Sequence, residues 1–86
     1  MANGTIRYWA AAKAAAGVAE EPYEADTLAE AIAGAALRDG RDGDFRRVVE
    51  RSSFLVDGDP VGTRAHDSVT LPEGGVVEVL PPFAGG

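Results

Sequence analysis

The stretch TLAEAIAGAALRDG, at residues 27–40, decides the fold class because it is the clearest helix in the chain. Thr27 and Glu30 form a capping box, in which the Thr27 hydroxyl accepts from the Glu30 amide and the Glu30 carboxylate accepts from the Thr27 amide. Apolar residues then recur at helical spacing and give one stripe: Leu28, Ile32, Ala35 and Ala36. With Gly40 as a C-terminal cap, the pattern predicts a helix from about Leu28 to Asp39.

The residues before this helix indicate two strands. TIRYWA, at residues 5–10, alternates two sets of side chains as a half-buried strand does: Ile6, Tyr8 and Ala10 against Arg7 and Trp9. AAAKAAAG, at residues 10–17, has high helix propensity but is short, so we expect a loop or one helical turn that Gly17 closes. A weakly marked strand follows in AEEPYEA, at residues 19–25. Pro22 is compatible with a strand only at the edge of a sheet or near the beginning of the strand.

The residues after the helix indicate a short helical turn and three strands. GRDGD, at residues 40–44, is expected to be a loop, and FRRVVERSS places three apolar residues on one face of a helical turn: Phe45, Val48 and Val49. FLVDGDPV predicts a hairpin around Asp57-Gly58, since a type I′ turn needs positive φ at both central residues. The last strand follows a turn at residues 73–75 and buries Val77 and Val79 on one face.

This order of elements predicts an α+β fold. A last strand that lies beside the first and parallel to it needs a crossover connection, and the helix supplies one. The result is a ubiquitin-like β-grasp, with one main helix packed across a mixed sheet. We expect one domain at residues 1–80 and an extended tail at residues 81–86.

Composition excludes several classes of function. The chain has 86 residues, a formal net charge of −6 and no cysteine. This acidic balance argues against nucleic acid and anionic membranes as partners, and favours a basic protein surface. No signal peptide or membrane span is recognisable, so we expect a cytoplasmic protein that is monomeric on its own.

No catalytic or metal site is evident in the sequence. The single histidine, His66, is expected in a surface loop, and without cysteine or a second histidine it has no partner for a metal. No serine stands in a nucleophile elbow, and no phosphate-binding loop is present. Asp57 and Asp59 are better explained by the hairpin than by calcium. We therefore do not expect the chain to be an enzyme on its own.

The sequence ends in LPPFAGG, which is unusual for a globular domain. Pro81 and Pro82 stop the strand and stiffen its exit, and Phe83 adds an apolar side chain with no evident place in the core. Gly85 and Gly86 have no Cβ and can thread a narrow channel up to the terminal carboxylate. One interpretation is a carboxylate presented as a reactant to partner enzymes. The other is a disordered tail or a cloning remnant.

These segments together resemble the ubiquitin-like sulfur carriers (MoaD/ThiS), and most closely the small subunits of molybdopterin synthase. The resemblance spans TIRYWAAAKAAAGVAEE, TLAEAIAGAAL, FLVDGDPV and the terminal VVEVLPPFAGG; residues 40–50 align less clearly. It implies that an E1-like adenylyltransferase activates the Gly86 carboxylate with ATP, and that a sulfur donor converts it to a thiocarboxylate. It implies a sulfur-acceptor enzyme such as the molybdopterin synthase large subunit. It also implies four partner-binding residues: Pro82, Phe83, Ala84 and Gly85. ATP would belong to the activating partner, and this chain would bind no cofactor.

The sequence leaves three alternatives open. The sulfur could serve thiamine, cysteine or a secondary metabolite, because the acceptor enzyme chooses the product. The same tail could join the chain to lysines of target proteins as a ubiquitin-like modifier. A plain β-grasp binding module would not use its terminus at all, and would tolerate deletion of Gly86.

Overall fold

The computed structural model describes residues 1–82, which form a five-stranded sheet and three α-helices. The strands are β1 (Ala2–Tyr8), β2 (Glu20–Ala25), β3 (Ser53–Val56), β4 (Asp59–Pro60) and β5 (Val76–Leu80). The helices are α1 (Ala10–Ala16), α2 (Leu28–Ala36) and α3 (Gly43–Arg51), and a short 3₁₀ turn spans His66–Ser68.

The sheet has the order β2-β1-β5-β3-β4. β5 lies at its centre, parallel to β1 and antiparallel to β3, with Val77 beside Ile6 and Val79 beside Phe54. All four of these side chains are buried on the face that the helices cover. The parallel neighbour and the crossover confirm the predicted β-grasp.

The capping box of α2 is confirmed. The Thr27 hydroxyl accepts from the Glu30 amide at 3.2 Å, and the Glu30 carboxylate accepts from the Thr27 amide at 3.2 Å. The predicted end at Asp39 is wrong, because the α-helix stops at Ala36. The amides of Leu37 and Arg38 bond to carbonyls three residues earlier, which tightens the chain out of the α-helix.

The alanine run forms a complete helix, contrary to the expected loop or single turn. Ala10 begins α1 with φ of +48° rather than continuing β1, and Gly17 ends it in the left-handed conformation, as predicted. A seven-residue helix would be marginal alone. Here it packs against α3 and the sheet with Ala12 fully buried, so tertiary contact stabilises what local sequence does not.

The segment after Asp42 also forms more helix than predicted. Asp42, in the expected loop, caps α3 by accepting from the Asp44 amide at 2.9 Å. The apolar face is as expected, with Phe45 and Val49 buried and Val48 half-buried. Capping and burial of this face extend the predicted turn to nine residues.

The predicted hairpin turn and the predicted edge strand are both confirmed. Asp57 and Gly58 both have positive φ, of +49° and +84°, as the type I′ hairpin between β3 and β4 requires. Pro22 lies on β2, which is an edge strand, so its missing amide hydrogen costs no bond within the sheet.

Candidate functional site

The described chain ends at the root of the predicted tail. β5 is paired on both sides: Leu80, its last residue, lies opposite Ser53 of β3, and the Val79 carbonyl accepts from the Trp9 amide at 3.2 Å. Pro81 is buried and Pro82 is exposed. Among the predicted site residues, the structure therefore places Pro82 on the surface. The remaining ones, Phe83, Ala84, Gly85 and Gly86, lie outside the described residues.

The sheet face opposite the helices adjoins this root. Across its middle, the register aligns Leu55, Glu78, Arg7 and Glu20 on neighbouring strands. Trp9 follows Arg7 on the same face, because its indole Nε1 donates to Glu78 Oε1 at 3.2 Å. Trp9 is 45% exposed, and Leu80 and Leu55 are half-buried. These apolar side chains form a partly hydrophobic surface beside the tail root, which we call the outer face.

Sequence reasoning did not single out Trp9 as a site residue. The available signal was its position in the strand pattern, opposite in phase to Ile6 and Tyr8. A large aromatic side chain at an outward position is the type of residue that protein interfaces use. Its proximity to the tail depends on the pairing of β1 with β5, which is a tertiary relationship.

A groove lies between α1 and α3 on the other side of the root. Its volume is about 540 Å³. Pro81 and Pro82 line one part, and the alanines of α1 face Val48 and two arginines of α3, Arg47 and Arg51. We call this the α1–α3 groove. It is the second surface that reaches the tail root.

Other candidate residues have structural roles. His66 is half-buried and packs edge-on against Phe54, with ring centroids 4.9 Å apart. Asp57 Oδ1 accepts from the Val76 amide at 2.8 Å, which joins the hairpin to β5. Over residues 1–82, no group of three His, Asp or Glu side chains could hold a metal ion. Nor does any helix in that span have the length and apolarity to cross a membrane.

The site therefore consists of a proline-stiffened exit from a central strand, flanked by two surfaces. Such an arrangement suits presentation of the following residues to another protein.

Solved structures share this fold across almost the whole chain. The small archaeal modifier protein 1 from Methanosarcina acetivorans superposes with a TM-score of 0.81 at 18% identity, covering 100% of this chain and 98% of that one. The same modifier from Haloferax volcanii gives 0.69 at 20% identity, covering 98% and 99%. A chain in the complex of subunits 1 and 2 of the molybdopterin-converting factor from Helicobacter pylori gives 0.69 at 17%, again covering 98% and 99%. At these identities the likeness concerns the fold alone.

Sequence comparison is more specific. No curated protein sequence matches the chain. The model of the ThiS family matches residues 6–86, which includes every strand except the first residues of β1 and extends through the terminal glycines. The fold is that of the small ubiquitin-like sulfur carriers and modifiers, and the chain belongs to the ThiS family.

Proposed function

We propose that this chain is a sulfur carrier whose Gly86 carboxylate is adenylated by an E1-like enzyme and converted to a thiocarboxylate. We further propose that the acceptor lies in molybdopterin biosynthesis. The observation that carries the proposal is the family match through residue 86, which includes the Gly85-Gly86 pair.

The geometry of the tail root supports this role. β5 is fixed by β1 and β3, and the two prolines that follow restrict the backbone as it leaves the sheet. A partner can therefore bind the folded domain while the residues beyond Pro82 reach its active site. The side chain of Pro82 would be the first contact of the tail, followed by Phe83, Ala84 and Gly85.

The chemistry would proceed on the carboxylate in two steps. A Gly86 carboxylate oxygen attacks the α-phosphorus of ATP, forming an acyl-adenylate and releasing pyrophosphate. Hydrosulfide from a sulfur donor then attacks the acyl carbon, AMP leaves with the original oxygen, and a proton is released to give the thiocarboxylate. Both steps use groups of the partner and of ATP, so this chain supplies the reacting atom and its position.

The outer face gives such a partner a docking surface. Trp9, Leu55 and Leu80 present apolar area next to the root, and aromatic anchors of this kind often supply much of the binding energy at an interface. The net charge of −6 would steer association toward basic enzyme surfaces. The complex of the two Helicobacter pylori subunits is consistent with a molybdopterin synthase large subunit as the acceptor.

Intact-protein mass spectrometry tests the proposal. The chain is incubated with the E1-like enzyme from the same organism, ATP and sulfide, beside a variant that lacks Gly86 and one that carries an extra alanine after it. We expect a mass gain equal to the difference between sulfur and oxygen in the wild type only. All three proteins should unfold at the same temperature, because the change lies beyond the core. No gain in the wild type, with an enzyme active on another carrier, would contradict the proposal.

A protein modifier is the second candidate, since two of the fold neighbours are named as small archaeal modifier proteins. It uses the same adenylate but ends in an isopeptide bond to a lysine. Tagged chain expressed in its own organism would then appear in high-mass conjugates that require Gly86. A pull-down that recovers the molybdopterin synthase large subunit without conjugates would instead support the carrier role.

A further inference from the structure

The proposed function gives no role to the α1–α3 groove. It lies between two helices on the side of the molecule away from the outer face, and its floor is Val48 of α3 with the small side chains of Ala11, Ala14 and Ala15. Val48 is half-buried, so the groove exposes apolar area that no described residue covers. The small alanines leave room for one larger apolar side chain from outside.

The charge of this groove is opposite to that of the chain. Arg47 and Arg51 stand one helical turn apart on α3 and line the same side. Arg47 forms an ion pair with Asp44, and both side chains are largely exposed. Within residues 1–82, Arg51 has no acidic group within ion-pair distance. Asp44 also lines the groove, so two arginines and one aspartate leave the lining with one net positive charge on a protein whose formal net charge is −6.

The position of the groove determines what can reach it. Pro81 and Pro82 form part of its wall, and Pro82 is one residue before Phe83. An enzyme that encloses residues 83–86 must approach within a few ångströms of Pro82, because Phe83 is bonded directly to Pro82. Residues of that enzyme therefore come within contact distance of the groove.

We propose that the α1–α3 groove is a second docking surface for the activating enzyme, and that it receives an apolar side chain flanked by a carboxylate. The apolar group packs on Val48 and the alanines, and the carboxylate pairs with Arg51. This rests on the proposed function, since it assumes that an enzyme takes the tail. It adds a contact of defined chemistry, in which an acidic patch on the partner meets the one cationic groove beside the tail root among the described residues.

Kinetics of ATP–pyrophosphate exchange, with the E1-like enzyme from the same organism, provide the test. Arg51→Glu is compared with Arg46→Glu, which makes the same charge change on the same helix but faces the opposite groove, beside α2. We expect Arg51→Glu to raise the KM for the chain about tenfold with kcat unchanged, and Arg46→Glu to change KM little. Added salt should raise the wild-type KM more than that of Arg51→Glu.

The experiment distinguishes failure of the groove proposal from failure of the proposed function. Equal KM changes in the two variants would mean that only global charge matters, and would overturn the groove proposal while the proposed function stands. No exchange with the wild type would overturn both. If Arg51→Glu unfolds, the same comparison with Arg51→Gln and Arg46→Gln decides. A wild-type dimer that Arg51→Gln dissociates would assign the groove to a second copy of the chain and contradict the proposal.

Discussion

Arg41 and Glu21 form a two-pronged ion pair inside the fold, with Nη1–Oε2 at 2.5 Å and Nη2–Oε1 at 2.7 Å. The Arg41 side chain is 4% exposed. Its guanidinium also donates to the carbonyls of Ala16 and Ala35 at the ends of α1 and α2, at 3.2 and 2.9 Å. One residue from the loop after α2 thereby joins two helix ends to the edge strand β2.

Two aromatic rings complete this cluster. The Arg41 guanidinium lies 4.8 Å from the ring centroid of Phe45 and 5.5 Å from that of Tyr8, within cation–π range. The Tyr8 hydroxyl donates to Glu21 Oε2 at 2.5 Å. Burial, together with this hydrogen bond and the Glu21 charge, raises the pKa of Tyr8, so the phenol keeps its proton and remains a donor even in alkaline solution.

The first prediction concerns Arg41→Gln. It leaves the Glu21 carboxylate buried with fewer partners and two helix-end carbonyls without their donor, so we expect a loss of about 3–5 kcal/mol in the free energy of unfolding. Arg7→Gln is the matched control, because Arg7 forms a comparable pair with Glu20 that is about half exposed on both sides. It should cost at most about 1 kcal/mol. Urea unfolding of both variants provides the measurement, and equal losses would contradict the assignment.

The second prediction is a dependence of stability on acid pH. Burial alone would raise the pKa of Glu21, but hydrogen bonds from Arg41 and Tyr8 and the charges of Arg41 and Arg38 outweigh it and hold the pKa below its usual 4.5. Near that pH the unfolded chain binds the proton more readily than the folded one. The stabilisation is therefore present above about pH 4.5 and is lost as pH falls through the lower, folded pKa.

Urea unfolding between pH 7 and pH 3 tests this sign. Glu21→Gln should be less stable at pH 7 and should show a shallower decline below pH 4.5 than the wild type. A variant that declines as steeply as the wild type would show that other carboxylates cause the acid dependence.

The third prediction concerns two glycines with opposite environments. A Cβ on Gly4 would collide with the Tyr23 ring and the Gly75 carbonyl, so Gly4→Ala should destabilise the protein by about 1–3 kcal/mol. Gly34 lies exposed within α2 and a Cβ there would meet no atom within 4 Å, so Gly34→Ala should stabilise by about 0.5–1 kcal/mol. Thermal unfolding of the pair checks both directions. Stabilisation by Gly4→Ala would contradict the collision at Gly4, and destabilisation by Gly34→Ala would contradict the open position of Gly34.

The elements that sequence predicted correctly are those that local interactions define. The capping box at Thr27, the hairpin at Asp57-Gly58 and the alternation of Val77 and Val79 each depend on a few neighbouring residues. The helix α1 could not be predicted because its stability comes from packing on α3. The role of Arg41 could not be predicted either, since its hydrogen-bond partners lie 6 to 25 residues away in the sequence.

The sequence predicted the tail but not the surfaces that surround its root. Composition and family resemblance make LPPFAGG the predicted reactive end, and this remains a prediction. The outer face and the α1–α3 groove combine residues from separate elements, such as Trp9 with Leu80 and Arg51 with Pro82. Their convergence depends on β5 being central and parallel to β1, which no short motif contains.

The fourth prediction tests the outer face as a docking surface. Trp9→Ala removes an exposed aromatic ring beside the tail root without emptying the core, so we expect the affinity for the E1-like enzyme to fall by about 2 kcal/mol or more. Leu37→Ala is the control, because Leu37 is 77% exposed at the end of α2, which packs on the covered side of the sheet. Its affinity should equal that of the wild type. Isothermal titration calorimetry measures both, with thermal unfolding to verify that Trp9→Ala remains folded. If Trp9→Ala binds as tightly as the wild type, the outer face is not the docking surface, and if Leu37→Ala weakens binding as much as Trp9→Ala, the loss is not specific to that face.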